Sequence, residues 1–259
     1  MPKKPGVPMS RYEPKRQKTR QINRREFLKA LGVGASVAVG GCMNTRRFSE
    51  GKRPGEMPNI LFCISDDQCW LHTGISGDRV VKTPNFDRVA REGVLFRHAF
   101  CCAPSCTPSR GGILTGQEIW RLEQGGTLFG TLPAKFEVYP DLLEQAGYHV
   151  GFTRKGWAPG RVQPSGRERN PAGPRYENFE QFLKARPQGK PFCFWFGSND
   201  PHRGYEWQSG VKSGMRLSDV SVPACLPDSE EVLNNSLQIL QMIQRFDREV
   251  GQILRVLEE

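Results

Sequence analysis

The sequence predicts an α/β fold in which a mostly parallel sheet is sandwiched by helices. Three observations predict it. Apolar strand-like runs recur at residues 59–65, 148–152 and 191–196, and the first and last are continuously apolar, as strands buried on both faces are. Segments with helical spacing and helix start and stop signals alternate with them. The residues best able to carry chemistry follow the apolar runs, and open parallel sheets collect ligands beyond the carboxyl ends of their strands.

In chain order, the run Asn59-Ile60-Leu61-Phe62-Cys63-Ile64-Ser65 ends in Asp66-Asp67. Thr83-Pro84 then opens a helix through Phe86, Val89 and Ala90, which Gly93 closes. Residues 94–100 read as a second strand. Pro108 begins a helix that runs to Thr115-Gly116, and a further helix over 140–146 stops at Gly147 before the strand 148–152. Residues 156–174, rich in Gly, Pro and Arg, read as a surface loop. Residues 176–185 are helical and 191–196 form another strand. Leu237, Leu240, Ile243, Val250, Leu254 and Leu257 keep helical spacing along a long final helix over 232–257.

The 259 residues suffice for a sizeable core. A net charge of +10 raises nucleic acid as a partner, but its distribution argues against one. Residues 1–53 hold 14 Lys/Arg and 3 Asp/Glu, whereas the remainder holds 23 and 24, so the globular part is nearly neutral. Within the arm, Asn23-Arg24-Arg25-Glu26-Phe27-Leu28-Lys29 precedes a short apolar run at 30–41 rich in Gly, Ala and Val. Residues 1–42 therefore read as an export signal, too short and glycine-rich for a permanent membrane helix. Its Arg-Arg-x-Phe-Leu-Lys pattern resembles a twin-arginine signal, implying the twin-arginine translocase as a partner. Val39-Gly40-Gly41-Cys42 resembles a lipoprotein box, with Cys42 the lipidated residue. An ordinary cleaved signal with Cys42 incidental is the plainer alternative, and a nucleic-acid-binding tail the rival. Residues 43–57 are a polar linker. The expected location is the periplasm of a bacterium, free or as a membrane-anchored lipoprotein.

The eight cysteines do not read as a disulfide framework. Cys63 and Cys193 lie in strand-like runs, where a free thiol behaves as a small hydrophobe. Cys69, Cys101, Cys102 and Cys225 have no assigned role, and no Cys-x-x-Cys spacing suggests zinc.

Two adjacent carboxylates past a buried strand repel each other and lose solvation. A divalent cation that prefers oxygen, calcium or magnesium, resolves that conflict at Asp66 and Asp67; a helix cap or solvated turn is the plainer alternative. Cys106 leads into a helix, whose N-terminal N–H groups suit a sulfate or phosphate. Arg110 adds a permanent cation. On physics alone this is an anion site with a reactive cysteine, which a cysteine phosphatase would equally satisfy, although Arg110 follows Cys106 by four positions rather than that family's six. Lys155 and Asp200-Pro201-His202 follow the other two strands.

Cys106-Thr107-Pro108-Ser109-Arg110, followed by Gly112-Ile113-Leu114-Thr115-Gly116, resembles the sulfatase signature. Pro58-Asn59-Ile60-Leu61 with Asp66-Asp67 is similar to that family's opening strand and first metal ligands. Thr83-Pro84-Asn85-Phe86-Asp87 with Gly93-Val94-Leu95-Phe96 resembles its next helix and strand, and Gly147-Tyr148-His149-Val150-Gly151 with Lys155 the strand carrying an active-site lysine. The stretch from Phe194 to Arg203 resembles the heparan N-sulfatase (sulfamidase) branch.

The resemblance implies an alkaline-phosphatase-like fold, with residues 58–259 forming the N-terminal part of the catalytic domain. It implies that Cys106 is oxidised to formylglycine by a formylglycine-generating enzyme. The metal, Ca2+ or else Mg2+, would be held by Asp66, Asp67 and residue 106. One hydroxyl of the formylglycine hydrate would attack sulfur while Arg110 and Lys155 balance sulfate charge; His202 would assist the leaving group, and the second hydroxyl would expel sulfate. The expected substrate is a sulfate ester or N-sulfate on a sulfated polysaccharide.

Two departures stand against a complete enzyme. Trp157 occupies a place where the family carries a histidine. Phe246-Asp247-Arg248-Glu249-Val250-Gly251 resembles the helix before the strand that brings the remaining metal ligands, and the sequence ends at Glu259, so the domain reads as truncated. A related phosphoesterase and an inactive sulfated-glycan-binding remnant are the alternatives.

Overall fold

The computed structural model describes residues 57–222 and 224–259. The export signal, Cys42 and nearly all of the linker lie outside the described residues.

Three strands, β1 (Ile60–Ile64), β2 (His149–Arg154) and β3 (Phe192–Gly197), form an all-parallel sheet of order β1-β3-β2. The helices are α1 (Pro84–Glu92), α2 (Cys106–Thr115), α3 (Tyr139–Gln145), α4 (Phe179–Ala185), the short α5 (Ser209–Lys212) and α6 (Glu230–Glu258). β3 is central, and all six of its residues are buried, which explains its unbroken apolar sequence.

Strand alternation divides those residues between two helical layers. Trp195 points to a cluster with Phe62, Phe152 and Leu114 of α2. Phe192, Phe194 and Phe196 point the other way, onto Phe179 and Phe182 of α4 and Val250 and Ile253 of α6. The Phe182 and Phe194 rings lie 4.6 Å apart, and Phe196 stacks on Phe246 at 5.9 Å. Helices thus cover both faces of the sheet, as expected. Among the described residues no helix is long and apolar enough to cross a membrane.

Three expectations are corrected. Residues 94–100 form no strand: Val94, Phe96 and Phe100 are exposed, and with no ladder partner their backbone gains nothing from extension. The 156–174 segment is irregular but not superficial. Trp157 and Ala172 are buried in the same cluster as Trp195, because Asn170 clamps the backbone of Trp157 with bonds to its N–H (3.1 Å) and from its own amide to the carbonyl (3.2 Å). The helix expected at Pro108 begins at Cys106, so the cysteine opens its first turn.

The Asn85 and Asp247 segments meet in space. Asp247 on α6 is buried, and its carboxylate accepts bonds from the backbone N–H groups of Phe86 (2.8 Å) and Asn85 (3.2 Å) and from the Asn85 amide (2.9 Å). It therefore caps α1 from another helix, satisfying N–H groups that the α1 helix cannot pair itself. Gly251, one turn later, leaves room for the Asn85 side chain; a Cβ there would collide with the Asn85 amide.

Two predictions follow from this packing. Asp247→Ala should cost about 3 kcal/mol in urea unfolding, since three donors lose a charged acceptor; a cost below about 1 kcal/mol would show the cap to be dispensable. Burial pushes the Cys63 thiol up to about 12 and the Cys193 thiol up to about 11. At about pH 8 both should remain thiols and resist iodoacetamide in the native protein, whereas exposed Cys69, Cys101 and Cys225 react. Peptide mapping before and after unfolding reads the difference.

Candidate active site

The carboxyl ends of the three strands deliver the chemistry to one place. Asp66 lies two residues past β1, and its N–H donates to the carbonyl of Asp200 beyond β3 at 2.8 Å. Lys155 follows β2; its N–H donates to the Gly197 carbonyl at 2.9 Å. Arg154, just before it, has a left-handed backbone (φ 56°) that turns the chain off the strand. Gly197 is required there, because a Cβ would overlap the Lys155 carbonyl.

Asp66 is 5% exposed, and its carboxylate forms an ion pair with the Lys155 ammonium. Arg110 Nη2 lies 3.8 Å away on its other side. Cys106 Sγ is 3.5 Å from Asp66 Oδ1 and 3.2 Å from Lys155 Nζ. The thiol thus sits between a carboxylate and an ammonium, at the first residue of a helix.

Arg110 acts from beneath. It is 2% exposed, donates to the carbonyls of Lys155 (2.6 Å) and Gly156 (3.1 Å), and lies 5.7 Å over the Trp195 ring. Burial pulls its pKa down, opposed chiefly by the charge of Asp66. Its guanidinium therefore fixes the backbone that carries Lys155.

His202 closes the far side. Its Nδ1 lies 2.9 Å from the Arg203 carbonyl, which can only accept, so Nδ1 carries a proton. Nε2 lies 3.9 Å from Asp67 Oδ2. Asp67 has a left-handed backbone (φ 57°), and its side chain is over half exposed. Ligand atoms of Asp66, Cys106 and His202 lie within 4.8 Å of one another. The expected trio of Asp66, Asp67 and Cys106 is therefore brought together with His202 in the place of Asp67, whose carboxylate faces the histidine instead.

A cavity of about 710 Å³ opens over this group, lined by Asp67, Cys106, Lys155 and His202 and also by Phe129 and Asn199. Asp66 and Arg110 are not on its wall. Position 157 contributes nothing to it, since Trp157 packs inward. Sequence reasoning missed Asn199, although it sits inside the quoted segment, and Phe129, for which no sequence signal exists. It also missed Arg245 on α6, which forms a two-point ion pair with buried Asp200 and anchors the loop carrying His202.

Residues 58–161 match the sulfatase family model. N-acetylgalactosamine-6-sulfatase of Canis lupus familiaris is 38% identical over 103 residues, covering 35% of this chain and 20% of that protein. N-acetylglucosamine-6-O-sulfatase of Bacteroides thetaiotaomicron is 28% identical over 201 residues, covering 66% and 34%. The chain thus spans between a fifth and a third of the length of these relatives. The solved structure of BT4656 with its substrate D-glucosamine-2-N,6-O-disulfate superposes with a TM-score of 0.59 at 18% identity, covering 78% of this chain and 62% of that one. The likeness is one of fold, a parallel sheet covered by helices on both faces.

If Arg110 is the underpinning of the site, Arg110→Met should destabilise the protein by about 3 kcal/mol, because two carbonyls and a buried carboxylate lose their cation. A thermal midpoint unchanged from wild type would contradict that role. Asp66, Asp67, Cys106, Arg110 and Lys155 all fall within residues 58–161, the segment that matches the sulfatase family model.

Proposed function

We propose that the protein hydrolyses sulfate groups on sulfated carbohydrate, with residue 106 as the nucleophile. One observation carries this reading. Cys106, Lys155 and His202 line a single cavity at the strand ends, with the Asp66 carboxylate directly behind them. A sulfate group entering the cavity meets an ammonium, an imidazole and the N-terminal turn of α2.

The residues fit a formylglycine and a divalent cation in kind. Asp66 is a buried anion that already faces the Lys155 ammonium and, farther off, the Arg110 guanidinium, so its surroundings are of the kind that hold a cation. A thiol is a poor ligand for calcium or magnesium, whereas oxidation of Cys106 to an aldehyde hydrate would make every donor at Asp66, Asp67 and position 106 an oxygen. Formylglycine would supply an oxygen nucleophile, and a bound cation, Ca2+ first and Mg2+ second, would polarise it. Lys155 Nζ would pair with a sulfate oxygen, and protonated His202 Nε2 would hand its proton to the departing oxygen or nitrogen. Arg110 keeps Lys155 in place.

Both O-sulfate and N-sulfate linkages belong to the proposal: the relatives above are named for 6-sulfates, while the segment from Phe194 to Arg203 resembles the N-sulfatase branch. The proposal includes maturation by a formylglycine-generating enzyme and export through the twin-arginine translocase to the periplasm, with Cys42 as a possible site of lipid attachment.

The test is mass spectrometry of the peptide holding Cys106 after coexpression with the maturing enzyme, followed by turnover of an aryl sulfate and an aryl phosphate. The expected result is formylglycine at position 106, sulfate release above phosphate release, and loss of both in Cys106→Ala. An unmodified thiol would falsify the formylglycine mechanism, and faster phosphate release would make the protein a phosphoesterase. A second reading, a module that binds sulfated glycan without turnover, is favoured by the ligand count. Among the described residues three side chains converge, against the roughly six to eight oxygens calcium takes. It predicts saturable glycan binding with no sulfate release.

A further inference from the structure

The wall of the cavity over Cys106 carries more positive charge than one sulfate group uses. Arg154, Lys155 and Arg175 all line it, with Asp67 as its single carboxylate. Two of the three cations are already matched from outside the cavity. Lys155 faces the buried carboxylate of Asp66, and Arg154 gives both terminal nitrogens to Glu249 of α6, at 2.7 and 2.9 Å. Asp67 turns to His202. Arg175 is exposed, and among the described residues its guanidinium has no ion pair and no side-chain hydrogen bond.

The backbone sets the place of Arg175. It lies opposite Phe152 in a one-residue parallel bridge along β2. The Phe152 N–H donates to the Pro174 carbonyl at 3.0 Å, and the Tyr176 N–H donates to the Phe152 carbonyl at 2.8 Å. Gly151 permits this approach, since a Cβ there would strike the Tyr176 ring. Arg175 therefore stands at the outer edge of the strand that leads to Lys155, held on both sides by ladder bonds.

A solvated arginine on a convex surface costs nothing when unpaired. On a concave wall beside two other cations it raises the local positive potential, which low-dielectric surroundings focus. Such a wall gains most from a ligand that brings more than one negative charge. A sulfate ester brings one, and in the hydrolytic reading it lies against Lys155 and His202. A volume of about 710 Å³ holds a whole sugar unit with its substituents. We propose that Arg175 is a specificity-determining residue, which pairs with a second anionic group on the same sugar unit that carries the reacting sulfate. That group is a second sulfate or a carboxylate, because a planar guanidinium meets either through two parallel N–H···O bonds and so orients the sugar as well as binding it. The identity of the substrate rests on the hydrolytic reading above; pairing with the second anion requires no turnover.

The test compares galactose 6-sulfate, galactose 4,6-disulfate and glucuronic acid 2-sulfate, by calorimetric titration of Cys106→Ala and by sulfate release from the matured chain. One of the doubly anionic sugars should bind about tenfold more tightly than galactose 6-sulfate, and which one it is separates sulfate from carboxylate recognition. Arg175→Gln should remove that preference, whereas Arg175→Lys should keep part of it, since lysine keeps the charge without the fork. In turnover the loss should fall on KM more than on kcat, as for a contact made alike in the ground and transition states. Equal affinity for all three sugars, or a preference that survives Arg175→Gln, would overturn the proposal. So would an equal loss for singly and doubly charged sugars. A preference that depends on Arg175, without sulfate release by the matured chain, would refute the hydrolytic reading and leave the anion site standing.

Discussion

The buried carboxylate of Asp66 is the constraint around which the strand ends are arranged. An ionised side chain at 5% exposure loses several kcal/mol of solvation unless cations and donors replace water. The replacement comes from different parts of the chain: Lys155 beyond β2, Arg110 within α2, and a backbone link to Asp200 beyond β3. Asp200 is itself a buried acid, paired with Arg245 of α6. The charge network therefore ties all three strand ends to α2 and α6. Cys106 lies inside this network because α2 starts beside Asp66, and its thiol meets both the carboxylate and the ammonium.

The same arrangement separates groups behind the cavity wall from those that line it. Arg110 and Asp66 lie behind the cavity wall and set its electrostatics, while Lys155, His202 and residue 106 face the space a sulfate would fill. The Arg203 carbonyl accepts from Nδ1 of the His202 imidazole, which leaves Nε2 turned toward Asp67. The cavity wall thus offers an ammonium and an imidazole at defined positions, both held by backbone contacts just past the strand ends.

Much of this was legible in the sequence. Unbroken apolar runs marked β1 and β3 to within a residue or two; burial on both faces accounts for this in β3, whereas the residues of β1 are only partly buried. Residues 94–100 carry similar apolar content and form no strand, since composition cannot say whether a neighbouring strand exists. The Asn85 and Asp247 segments were recognisable as family motifs, but their physical meaning, one helix capping another across 162 positions, needed the fold. Arg245 looked like any polar residue on a long helix, and Trp157 like a residue of a surface loop. Both are decided by tertiary contacts that local sequence does not encode. That His202 rather than Asp67 converges with Asp66 and Cys106 is a matter of tertiary geometry, and the left-handed backbone of Asp67 has no signal in the sequence.

The central proposal is that Asp66 helps to hold a divalent cation beside residue 106. Calcium titration by calorimetry of the matured protein, compared with Asp66→Asn, measures it most directly. The account predicts about one ion bound per chain and its loss in the variant, with the fold retained by circular dichroism. Stoichiometric calcium binding that survives Asp66→Asn, or no binding by the matured wild type, would contradict it.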